Sequence, residues 1–250
     1  MTVLMAALII GLIVVGAAAQ RMAGLGFALL VAPFMTLLLG AHSGVLLVNV
    51  LGVISSALIL PRVWRSIDWG MFRWLGAFAV LGSVLGAWLA TLFSAAVMAV
   101  FVGAIVMVAL GASLAISGNR FTTEPKAPRA AAGFLSGLTN ALAGVGGPAI
   151  SAYAVLTRWP QATFAATLQP YFILTGGTSV AAKLMLDPGG LPQTDWWFWI
   201  AVLLAVLGGI AAGERLLRLV TPTQVRRFVI ILAFAGAAAS LLRGLFDLFA

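Results

Sequence analysis

The stretch NALAGVGGP at residues 140–148 decides the fold, because it interrupts an otherwise apolar run. Clustered glycines weaken a helix and permit positive φ angles, and proline is favoured in the first turn of a new helix. In lipid, an irregular backbone survives only where it is buried in protein or lines a cavity. The stretch therefore predicts a helix break in the protein interior, followed by a helix that begins near Pro148.

A similar break, QRMAGLG at residues 20–26, occurs in the first half of the chain. At an offset of 120 residues, Gln20 corresponds to Asn140 and Asn49 to Gln169. After an insertion near 187–193 the offset becomes 127, and the matching pairs are Gly82 with Gly209, Gly86 with Gly213, and Asp68-Trp69 with Asp195-Trp196. The pattern predicts a duplication, with a first membrane repeat at 1–117, a cytoplasmic linker at 118–131 and a second membrane repeat at 132–250.

Composition places this duplicated chain in a membrane. Of its 250 residues, 63% are hydrophobic and 8% are charged, whereas soluble domains carry about 25% charged residues. A helix needs about 20 residues to cross a bilayer. The sequence therefore predicts an all-α integral membrane protein of about 8–10 transmembrane or half-membrane helices.

The residue types that most enzymes need are scarce. The chain has no cysteine and one histidine, and it carries neither a zinc-binding pattern nor a phosphate-binding Walker loop. The sequence therefore predicts no enzyme, no metal and no cofactor.

The basic residues indicate how the repeats are oriented. Ten of the fourteen Lys and Arg residues fall in the loop at 61–73, the central linker and the loop at 214–227. These loops are predicted to be cytoplasmic, so the net charge of +8 reflects membrane topology and not nucleic-acid binding. In the sequence repeat, the basic 61–73 loop corresponds to the acidic stretch 187–195. Equivalent loops therefore lie on opposite sides of the membrane, which predicts inverted repeats with both termini outside the cytoplasm. Five crossings per half, or three crossings and a hairpin, both satisfy this topology.

A helix that restarts after a break presents free N–H groups and a positive dipole end, which suits an anion. Amides near the breaks can donate hydrogen bonds, and one arginine beside the first break can neutralise an anion. The candidate substrate-binding residues are Gln20, Arg21, Gly24, Gly26, Asn49, Asn140, Gly144, Gly146, Gly147, Pro148 and Gln169.

Each type of candidate residue also has a structural alternative. The glycines suit close helix contacts, and the amides suit hydrogen bonds between helices. Arg21 can extend to a lipid headgroup instead, and the same snorkelling is expected of Lys183. His42 is expected to lie at the membrane interface.

Taken together, these stretches resemble the TauE/SafE sulfite exporter family over nearly the whole chain. The resemblance is carried by the glycine-rich segment 133–148 with Pro148, and by two Asp-Trp loops that each precede a Gly-x-x-x-Gly helix. It implies export or uptake of small sulfur-containing anions, such as sulfite, sulfonates or sulfocarboxylates, across a bacterial inner membrane.

We therefore expect a secondary transporter that works by alternating access, with the anion held between the two glycine-broken helices. A passive anion channel and a non-transporting membrane scaffold or assembly protein are the alternatives. The expected partners are a small anionic substrate and membrane lipid, with no nucleic acid, and a homo-oligomer is left open.

Overall fold

The computed structural model describes residues 3–23, 27–115, 126–190, 194–216, 219 and 222–249. Within these ranges the regular secondary structure is helical, and the ten described α-helices agree with the predicted 8–10. The helices are α1 (Val3–Ala23), α2 (Phe27–Leu39), α3 (Ala41–Val63), α4 (Trp69–Leu92), α5 (Ala95–Ala115), α6 (Lys126–Ala143), α7 (Gly147–Leu156), α8 (Gln161–Leu186), α9 (Trp196–Leu216) and α10 (Pro222–Phe249). The predicted all-α fold is confirmed.

Length separates the helices into spanning and half-spanning elements. Among the described residues, five helices are long and apolar enough to cross a membrane: α1, α3, α4, α9 and α10. By contrast, α2 has 13 residues and α7 has 10, so at 1.5 Å per residue they reach about 20 and 15 Å of the ~30 Å hydrocarbon core. Neither α2 nor α7 is therefore long enough to cross the hydrocarbon core by itself.

Glycines bring two pairs of helices together at corresponding places in the two halves. A Cβ atom added to Gly82 on α4 would overlap the backbone oxygen of Phe134 on α6. A Cβ added to Gly209 on α9 would lie 2.5 Å from the backbone oxygen of Val14 on α1. The glycines are 127 residues apart and their partners 120 residues apart, which are the two offsets of the sequence repeat. This packing supports the duplication.

Polar side chains concentrate in the middle of this apolar bundle. Gln20, Asn49, Asn140 and Ser179 are all buried, on α1, α3, α6 and α8 respectively. Helices α3, α6 and α8 contact one another, and the Asn140 amide joins Asn49 and Ser179 through hydrogen bonds. Helix α6 begins at Lys126, inside the stretch 118–131 that the sequence predicts as linker, and the repeat boundaries themselves stay a prediction.

Candidate functional site

A small cavity of about 50 Å³ lies where the glycine-rich break after α6 meets α1, α2, α3 and α8. Six of the eleven residues predicted from the sequence line it: Gln20, Asn49, Asn140, Gly144, Gly146 and Gly147. Phe27, Phe172, Gly52 and Ser56 are also in its wall. None of the described residues that line the cavity carries a charge.

The break itself is built as predicted. Helix α6 ends at Ala143, and Gly144 adopts a φ of +72°, with its N–H donating to the Asn140 carbonyl at 2.8 Å. The Ser136 hydroxyl donates to the Gly146 carbonyl at 2.5 Å, which holds the irregular segment against α6. Helix α7 then starts at Gly147 with Pro148 in its first turn. The N-terminal end of α7 therefore opens directly on the cavity.

Because Gly144 adopts a left-handed conformation, Gly144→Ala is expected to lower the free energy of unfolding by about 1–2 kcal/mol. A Cβ at this position would also lie 3.1 Å from Val48 Cγ1. Thermal unfolding in detergent measures the effect, with Gly177→Ala as the control, because a Cβ at Gly177 meets no atom within 4 Å. Equal melting temperatures for the two variants would contradict the assigned geometry.

Asn49 and Asn140 bind each other across the cavity wall. The Asn140 amide donates to Asn49 Oδ1 at 2.6 Å and to Ser179 Oγ at 3.2 Å. The Asn49 amide donates to the Val45 carbonyl at 3.0 Å and to the Asn140 carbonyl at 3.2 Å. All four amide hydrogens are thus used between or within helices in this conformation. They play the structural role that the sequence left as the alternative, and their contact with substrate stays a prediction.

Two adjacent serines of α3 complete the polar part of the site. Ser55 donates to Gln20 Oε1 at 2.8 Å. This bond involves the oxygen of the Gln20 side chain and does not involve its NH₂ group. Ser56 is fully buried in the cavity wall, and its hydroxyl has no partner among the described residues. Sequence reasoning missed Ser56. Its spacing from Asn49 and Gly52 places all three on one face of a helix, which is the signal that identifies it.

Arg21 lies outside the cavity lining. Its guanidinium pairs with Glu214 at 3.1 Å, and Arg62 pairs with the same carboxylate oxygen at 2.9 Å. This cluster joins the ends of α1, α3 and α9. The structure thus gives Arg21 a protein partner in place of the anion or headgroup expected from the sequence.

The remaining predicted residues are placed as follows. Gln169 is buried away from the cavity, where its amide donates to the Ala165 carbonyl of its own helix at 2.9 Å and its Oε1 has no partner among the described residues. Pro148 follows the cavity-lining Gly147. Gly24 and Gly26 lie outside the described residues.

The comparison with protein families identifies the chain. The family described as sulfite exporter TauE/SafE matches residues 8–240. The chain belongs to the TauE/SafE sulfite exporter family. This is a family of membrane transporters and not of enzymes, and together with the apolar helices it makes the chain a multi-pass membrane protein. Comparisons with curated proteins and with solved structures found no match.

Proposed function

We propose that the cavity binds a sulfite-type or sulfonate-type anion and that the protein carries it across the bacterial inner membrane by alternating access. The proposal is supported by one observation: the α7 N-terminus and the Ser56 hydroxyl, which has no partner among the described residues, line the same cavity, and none of its described lining residues is charged. Helix N-termini bind anions through free N–H groups and through the positive end of the helix dipole.

The donors available to such an anion come mainly from the backbone. The first N–H groups of α7 have no carbonyl partner within the helix, and Pro148 contributes none. Gly146 and Gly147 have no side chains, so an anion can approach the backbone closely at the start of this helix. Ser56 adds a hydroxyl donor, and Gln20 adds the NH₂ end of its side chain. Neutral donors of this kind would hold the charge of the anion, since the described residues of the site include no arginine or lysine.

The size of the cavity suits a small oxyanion. One water molecule occupies about 10–15 Å³ of cavity volume, so the ~50 Å³ cavity accommodates roughly three to five water-sized atoms. Sulfite has one sulfur and three oxygen atoms. Longer sulfonates such as taurine require the cavity to widen, which movement of the half-helices α2 and α7 would allow.

Alternating access would arise from movement of one inverted repeat against the other around this cavity. In the proposed topology both termini face outward, and the Arg21–Glu214–Arg62 cluster lies at the cytoplasmic end. Because that cluster joins three helices, it would have to rearrange whenever the cytoplasmic side opens.

Anion binding and transport are tested together with purified protein. Melting temperatures in detergent are measured with sulfite, taurine, isethionate, sulfoacetate and simple carboxylates, since a ligand that binds the folded state raises the melting temperature. Flux of each anion is then measured in proteoliposomes against protein-free liposomes. We expect sulfite or a sulfonate to give both the largest stabilisation and protein-dependent flux. No stabilisation and no flux for any sulfur-containing anion would contradict the proposal.

A further inference from the structure

Lys183, near the end of α8, is a buried cation without a partner among the described residues. Its side chain is 8% exposed, and Nζ makes no hydrogen bond to the described residues. Asp187 lies one turn further along, yet its Oδ1 accepts from the Gly189 N–H, and no ion pair joins it to Lys183 within the described part of the chain. The expectation that Lys183 snorkels to the surface is therefore wrong.

A lone buried ammonium group is costly for a folded protein. Moving a charge into an apolar interior without a partner costs several kcal/mol, whereas an apolar side chain of similar length would pack there without that cost. Stability alone gives no reason for a lysine at this position. An anion that reaches Nζ would provide the missing partner.

Lys183 also lies on the face of α8 that contributes to the cavity. Gly176, Ser179 and Lys183 share one face of α8, because they are spaced by three and four residues. Gly176 lines the cavity and Ser179 accepts a hydrogen bond from Asn140. At 1.5 Å per residue, Lys183 is about 10 Å beyond Gly176 along the helix.

The neighbouring groups at this end of α8 come from α3 and from the loop after α8. His42, at the start of α3, interacts electrostatically with Lys183 and with Asp187. Asp187 is exposed at the end of α8, in the stretch 187–195 that the charge pattern places outside the cytoplasm. Lys183 therefore lies between the cavity and the outer side of the membrane in the proposed topology.

We propose that Lys183 forms a second anion-binding position, which a sulfite-type anion occupies as it passes between the cavity and the outer side. This inference rests on the proposed function. An ammonium group binds an oxyanion as a compact point charge with three donors. Two successive positions, one charged and one neutral, would attract the anion and still let it leave, as multi-site pathways require.

The test compares sulfite flux in proteoliposomes for the wild type, Lys183→Met, Lys183→Gln and Lys183→Arg, together with melting temperatures in detergent. Arg73→Gln is the matched control, because Arg73 is an exposed cation on α4 away from the cavity. At sulfite concentrations below KM, we expect flux to fall about tenfold or more in the Met and Gln variants, the kinetic equivalent of ~1.4 kcal/mol. The Arg variant and Arg73→Gln should retain most of the flux.

Melting temperature separates this role from a structural one. Because a buried unpaired charge is removed, Lys183→Met should melt at or above the wild-type temperature while its flux falls. Wild-type flux in the Met and Gln variants would overturn the second anion-binding position. Lost flux together with a lower melting temperature in both variants would overturn it as well. Either result would leave the proposed function intact. Absence of sulfur-anion flux in the wild type would overturn the proposed function, and this inference with it.

Discussion

Sulfite flux is expected to fall about 100-fold or more in Gly52→Leu, a loss equivalent to ~3 kcal/mol in the transport barrier. Gly52 lies on α3 in the cavity wall, and a Cβ added there meets no atom within 4 Å. A leucine side chain would extend into the ~50 Å³ space and take the room of the anion. Because leucine is a better helix former than glycine, α3 itself should be preserved or strengthened.

The matched control for this variant is Gly208→Leu. Gly208 lies on an exposed face of α9, and a Cβ there also meets nothing within 4 Å. Both changes place the same side chain in a helix, but one is inside the cavity and the other is outside it. We expect Gly208→Leu to transport sulfite at the wild-type rate, with flux measured in proteoliposomes of equal protein content. Comparable flux in the two variants would show that the cavity is not the substrate site.

Gly82→Ala and Gly209→Ala are expected to lower the free energy of unfolding by about 3 kcal/mol each. Overpacking of a close contact costs about 1–3 kcal/mol and occasionally more. At both positions the obstacle is the backbone of the facing helix, Phe134 on α6 or Val14 on α1, so a side-chain rotation cannot relieve the contact. Each pair of helices must move apart, which also loosens the helices that precede the two breaks.

Denaturant titration in mixed micelles measures these changes, with Gly208→Ala as the control beside Gly209. Since Gly208 has open space around its Cβ position, alanine there should be neutral or stabilising by up to about 1 kcal/mol from helix propensity. Similar losses at Gly82 and Gly209 would agree with duplicated packing. If the Gly209 variant were as stable as the Gly208 variant, the assigned contact between α1 and α9 would be incorrect.

Features that depend on local pattern could be predicted from the sequence. The ten helices follow from apolar runs, and the break at Gly144–Gly147 follows from the conformational freedom of glycine and the preference of Pro148 for a first turn. The two offsets of the repeat also predict which glycines make equivalent helix contacts in the two halves, because a duplicated helix pair preserves the spacing of its small residues.

Features that depend on distant partners could not be predicted. Arg21 and Glu214 are 193 residues apart, and only the packing of α1 against α9 brings them together. The sequence presents the Asn49 and Asn140 amides as donors for a ligand, whereas in the fold all four of their hydrogens are used in hydrogen bonds within the protein. The position of Lys183 near a helix end predicts an exposed side chain, whereas the packing of α8 in the folded bundle buries it.

The folded arrangement places cations on either side of an uncharged cavity. Arg21 and Arg62 share Glu214 at one end, and Lys183 lies along α8 toward the other. In the proposed mechanism, helix ends and hydroxyl groups hold the anion at the centre, and the cations act on its approach and release.

Counterflow of sulfite distinguishes alternating-access transport from passive permeation. Proteoliposomes are loaded with concentrated unlabelled sulfite and diluted into a medium that contains a trace of radiolabelled sulfite. An alternating-access transporter exchanges the two, so we expect transient accumulation of label inside the vesicles above its external concentration, and loss of that accumulation in Gly52→Leu. Rapid equilibration without accumulation would indicate a passive channel, and absence of label inside the vesicles would indicate a scaffold. Either result would contradict alternating-access transport of sulfite by this protein.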